Sequence, residues 1–75
     1  MKKEVQNLNK NLLKSVMVLH DDTQERLAEY LNISSGTLSL KINETNGAEF
    51  TQGEIKKIIE RYDLTAEDTE KIFFN

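Results

Sequence analysis

Residues 23–42, TQERLAEYLNISSGTLSLKI, decide how the rest of the chain is read. Asp22 or Thr23 can cap a helix start, and Asp22 with Glu25 three residues on fits a capping box. Leu27, Ala28 and Leu31 then give one buried face to a short helix ending near Leu31. Asn32 follows, and asparagine is among the few non-glycine residues that tolerate the left-handed backbone of a helix stop. Ile33 lies in the turn, Ser34 or Ser35 can cap a second helix, and Leu38 and Ile42, four apart, give that helix its buried stripe. The stretch therefore predicts two short helices joined by a tight turn.

The flanks carry the same helical period. Val5, Leu8, Leu12, Val16 and Leu19 recur at steps of three and four, with Leu13 and Met17 widening the stripe, so a helix is expected over about residues 5–20. Asn43 to Glu49, with Asn46-Gly47, reads as a loop. Thr51 and Glu54 form a capping-box pair ahead of a helix whose buried face is Ile55, Ile58, Ile59 and Tyr62. Thr65 and Asp68 start a last short helix closed by Ile72, Phe73 and Phe74. No stretch alternates long enough to demand a strand. The expected fold is all-α, five short helices in a single domain spanning residues 1–75.

Composition limits the function. The chain has 75 residues, no cysteine and no proline, and a formal charge of -3. Without cysteine, disulfides and thiolate metal sites are excluded, and a cytoplasmic home is the simplest expectation. Glu4, Lys10 and Lys14 interrupt the apolar positions of residues 1–19, so neither a signal-peptide core nor a membrane span is expected. An acidic balance argues against indiscriminate nucleic-acid binding, which relies on many cations meeting phosphates. The balance is uneven, however. Lys2, Lys3, Lys10 and Lys14 against Glu4 leave residues 1–20 at +3, whereas Asp21, Asp22, Glu25 and Glu29 against Arg26 leave residues 21–33 at -3.

Catalytic and metal-binding readings find little support. His20 beside Asp21 and Asp22 is the single histidine, so a polar helix junction is the expected role rather than a metal or acid–base site. Placing Gly47 at the sixth position of a calcium loop puts Ile42 first and Gly53 twelfth, where ligands are required, and that reading fails. There is no Ser/His/Asp arrangement and no glycine-rich phosphate loop. Neither an enzyme nor a cofactor is expected.

The segment 23–42 resembles the helix-turn-helix of the Cro and CI class of phage repressors, the lambda-repressor-like fold. Ala28 stands where the two helices cross closely, Asn32 takes the turn position usually held by glycine, and Leu27, Leu31, Ile33 and Leu38 occupy the buried positions. The following TLSLKIN, a loop, and EFTQGEIKKIIERYDLTAEDTEKIFF are similar to small Cro-like regulators of prophages in Gram-positive bacteria. Lys41 departs from the pattern, which favours an apolar residue there, and Ile42 is expected to take over burial.

The resemblance implies a DNA-binding transcriptional regulator in a prophage genetic switch, with the helix at about 34–43 in the major groove. Carried over by position, Ser34, Ser35, Gly36, Ser39 and Leu40 face the groove, Thr37 lies at its edge, Lys41 reaches a phosphate or base, and Gln24 anchors the backbone. The implied partner is double-stranded operator DNA bound by a homodimer. Because the reading helix lacks arginine, glutamine and an internal asparagine for bidentate base contacts, direct readout is expected to be weak. Lys2, Lys3, Lys10 and Lys14 are read first as a solvated face, with an N-terminal arm along the DNA backbone as the alternative, and Lys56 and Lys57 are likewise read as a solvated face before a phosphate contact. A different function also fits the acidic run: a modulator, or antirepressor, that keeps the helix-turn-helix shape and uses Asp21, Asp22, Glu25 and Glu29 beside Leu40 to engage a phage repressor protein.

Overall fold

A computed structural model of the chain describes residues 8–74. Five α-helices follow one another: α1 Lys10–Leu19, α2 Gln24–Leu31, α3 Ser35–Ile42, α4 Gln52–Tyr62 and α5 Ala66–Phe73. A single 3-10 turn, Thr45–Gly47, stands in the loop before α4. The all-helical expectation holds, and there is no strand among the described residues.

Each helix starts on a side-chain cap. Asn9, Thr23, Ser34, Thr51 and Thr65 accept the backbone N–H groups of Leu12, Arg26, Thr37, Glu54 and Asp68. Such caps satisfy donors left orphaned in a first turn, each contributing about 1 kcal/mol. Both capping boxes, Thr51 with Glu54 and Thr65 with Asp68, are closed in each direction. Asn32 ends α2 in the left-handed region at φ 65° and ψ 39°. Its N–H donates to Glu29 O and that of Ile33 to Ala28 O, so the chain turns at once into α3.

The core draws on every helix. Leu13 and Met17 of α1, Leu27, Ala28 and Leu31 of α2, Leu38 and Ile42 of α3, Ile55, Ile58 and Tyr62 of α4, and Ile72 and Phe73 of α5 are buried together with Phe50. The Phe50 ring meets Phe73 edge-on, with centroids 5.9 Å apart at 88°, an arrangement that suits the ring quadrupoles. A Cα radius of gyration of 11.8 Å fits the roughly 11 Å expected of a chain this long folded around one core.

Three expectations need correction. The first helix begins at Lys10 rather than residue 5. Asn9 caps it and donates its own N–H to the Ile72 carbonyl at 2.7 Å, which fixes the entry of α1 against the end of α5. Val5 lies outside the described residues. The buried stripe of α1 is centred on Leu13 and Met17, flanked by half-buried Leu12 and Val16, while Leu19 is 83% exposed. Finally, of the two caps open to α2 it is Thr23 that is used, and the Asp22–Glu25 capping box does not form, because the Asp22 carboxylate is held by Arg61 and Tyr62 of α4.

Candidate nucleic-acid interface

The α2–turn–α3 unit presents one face of α3 that does no work in the core. Leu38 and Ile42 point inward, so residues half a turn away from them, Gly36 and Leu40, point outward. Ser35, Gly36 and Leu40 are exposed, whereas Thr37 and Ser39 are half-buried at the flanks. Gln24, the first residue of α2, is half-buried as well.

Hydrogen bonding divides the candidate residues further. The Ser34 hydroxyl caps α3 by accepting from Thr37 N at 3.0 Å and donates to Thr37 Oγ1 at 2.9 Å. These two hydroxyls therefore serve the helix start first. Asn43 Nδ2 donates to the Ser39 carbonyl at 3.0 Å and reaches Ser39 Oγ at 3.4 Å. Lys10 Nζ lies 3.4 Å from Asn43 Oδ1, which brings an α1 cation to the C-terminal end of α3. A Cβ added at Gly36 would meet only Ser34 Oγ, at 3.9 Å. Packing within the chain thus gives no reason for glycine there, although glycine costs about 1 kcal/mol in a helix relative to alanine.

Lys41 does not stand free. Its Nζ lies 2.6 Å from Glu54 Oε1 and 2.8 Å from Oε2, and the two side chains are only 15% and 13% exposed. Burial pushes the Glu54 carboxyl up, but the Lys41 ammonium and the Thr51 N–H and hydroxyl outweigh it and hold the group below its ordinary value. Ile42 takes the core position beside Lys41, as expected from sequence. Glu54, read from sequence only as a capping-box residue, joins this face through Lys41. The signal was present: a lysine at a position that favours burial calls for an acid, and the Glu of the following capping box supplies one.

The charges around this face are mainly negative. Glu25 and Glu29 of α2 are exposed and, with Asn32, Ser34 and Ser35, line the groove between α2 and α3. Asp22 does not contribute to that acidic surface, since its carboxylate turns inward to Arg61 and Tyr62. His20 sits at the same junction, its ring 5.1 Å from that of Tyr62, beside Asp21, Asp22, Arg26 and Arg61. Among the described residues, no cluster of His, Cys, Asp and Glu is arranged to hold a metal ion.

No family model, curated protein or solved structure matches the chain. No helix among the described residues is long and apolar enough to cross a membrane.

Proposed function

We propose that the chain is a sequence-specific DNA-binding transcriptional regulator of the Cro/CI type, acting in a prophage genetic switch, with α3 in the major groove and α2 across the phosphate backbone. The observation that carries this reading is the outer face of α3. It joins Ser35, Gly36 and Leu40 on a helix held by a tight left-handed turn, and its glycine has no partner inside the chain. A helix approached that closely suits a groove floor, where serine hydroxyls hydrogen-bond base edges and a leucine meets a thymine methyl.

Affinity must come from elsewhere on the surface. Lys10 and Lys14 on α1 and Lys56 and Lys57 on α4 are exposed and available for phosphates. A module with so few cations gains enough affinity only as a dimer on a two-fold operator, with half-sites about 34–36 Å apart. Phe74, 49% exposed beside Ile59, Leu64 and Ala66, is the candidate dimer contact.

A second reading is favoured by one specific observation. The single cation of α3 is paired with Glu54, and Glu25 and Glu29 border the same face. A neutral to acidic helix-turn-helix surface also fits a protein that binds the basic DNA-reading surface of a partner repressor and blocks it. Gel shift with the adjoining intergenic DNA, with and without a phage repressor that itself shifts that DNA, separates the two. A DNA shift by the chain alone supports the regulator; no shift, with loss of the repressor's own shift, supports the modulator.

A further inference from the structure

We propose that the Lys41–Glu54 pair is a latch that withholds the only cation of α3 from the phosphate backbone, so that Glu54 sets the strength and salt dependence of DNA binding. The inference rests on the DNA-binding reading above and adds to it a residue outside the reading helix.

One end of the latch is flexible and the other is fixed. Lys41 follows exposed Leu40 and precedes buried Ile42, at the border between the outer face and the core. Its flexible four-carbon stem can swing to either side of that border. Glu54 is fixed by the start of α4: Oε1 accepts the Thr51 N–H at 2.9 Å, and the Glu54 N–H donates to Thr51 Oγ1 at 3.1 Å. A carboxylate so held offers a ready-made seat for the ammonium, with both oxygens in contact. Glu44 and Glu49 line a small recess beside Lys41, so a phosphate must compete there against a negative field. Because the pair is largely shielded from water, salt screens it far less than it screens a contact between an exposed lysine and DNA.

The test is a salt series of fluorescence-anisotropy titrations on the flanking intergenic duplex. Glu54→Gln removes the negative charge yet keeps an acceptor for the capping box, and a thermal melt checks that the fold is retained. Glu54→Gln is expected to bind several-fold more tightly at low salt, with a log–log salt slope steeper by about 0.9, the value of one added phosphate contact. Lys41→Met alone is expected to keep the wild-type salt slope while its affinity falls, because the Glu54 carboxylate is left without its partner, and Lys41→Met in the Glu54→Gln background to cancel the gain.

An unchanged slope in Glu54→Gln, with the wild type still binding, overturns the latch and leaves the DNA reading standing. A gain that survives in the double variant also overturns it, by assigning the effect to the lost acid. So does a flatter slope for Lys41→Met alone, which would mean that Lys41 already touches phosphate. If neither wild type nor Glu54→Gln binds duplex at low salt, the DNA reading and the latch fall together.

Discussion

Asp22 and Arg61, 39 positions apart, meet through two parallel hydrogen bonds, Nε to Oδ2 at 2.8 Å and Nη2 to Oδ1 at 3.0 Å. The Tyr62 hydroxyl donates to the same carboxylate, and the Tyr30 ring lies 4.8 Å from the guanidinium. The Asp22 side chain is 4% exposed and that of Arg61 26%. This clamp ties the junction before α2 to the end of α4, which fixes the start of the helix proposed to cross the phosphate backbone. Bidentate arginine–carboxylate pairs are among the stronger polar contacts. Asp22→Ala leaves a guanidinium and a phenol without their acceptor, and the expected loss is about 2–4 kcal/mol in urea unfolding. A loss below about 0.5 kcal/mol, typical of an exposed pair, would contradict the clamp.

The same clamp makes stability depend on pH in a fixed direction. Hydrogen bonds from Arg61 hold the Asp22 carboxyl well below the usual carboxylate range, overcoming the opposing effect of burial, with further help from Tyr62 and the Thr23 N–H. Glu54 is lowered too. In the folded state both groups resist protonation where the unfolded chain accepts it. Their contribution is therefore present above the ordinary carboxylate pKa of about 4 and is lost as pH falls below it. Urea midpoints measured from about pH 6 down to about pH 2.5 should fall steeply for the wild type and less steeply for Asp22→Asn. Equal slopes would remove Asp22 from the acid sensitivity.

Gly36 should separate stability from binding. A Cβ there meets nothing closer than 3.9 Å and the backbone lies inside α3. Gly36→Ala is expected to raise stability by up to about 1 kcal/mol. It should also weaken DNA binding roughly five- to tenfold, since the added methyl stands on the approaching face. A stabilised variant with unchanged affinity would take this glycine out of the interface.

Asn32 tests the turn. At φ 65° and ψ 39°, an alanine is strained by roughly 1–2 kcal/mol while glycine is not. Asn32→Ala should lower the Tm and Asn32→Gly should hold or raise it. A lower Tm for Asn32→Gly would show that the asparagine side chain, not its tolerance of this backbone, maintains the turn.

Much of the fold was legible because local signals and the core agreed. Asn32 as a left-handed stop, Thr51 with Glu54 and Thr65 with Asp68 as capping boxes, and Leu38 with Ile42 as a buried stripe all follow from neighbours within four residues. What escaped was tertiary. Asp22 looked like a cap because nothing in residues 21–25 reveals Arg61. The start of α1 is marked by the Asn9 N–H bond to the Ile72 carbonyl, a contact across the chain that no neighbouring residue reveals. On the candidate face, the exposed positions Ser35, Gly36 and Leu40 were readable from helical phase, but Lys41 could be assigned to Glu54 only once α4 was packed beside α3. The acidic composition was informative in a local way: Glu25 and Glu29 remain exposed beside the reading helix, while Asp22 is consumed inside the fold.

The most direct test of DNA reading by α3 is an anisotropy titration of the wild type and Ser35→Glu against duplex from the chain's own upstream promoter at low salt. A scrambled duplex of equal length serves as reference, and circular dichroism checks the fold. The wild type is expected to prefer the promoter duplex over the scrambled one, and Ser35→Glu to lose at least about tenfold in affinity as a carboxylate enters the groove. Equal binding by both proteins, or no binding by the wild type, would contradict DNA reading by α3.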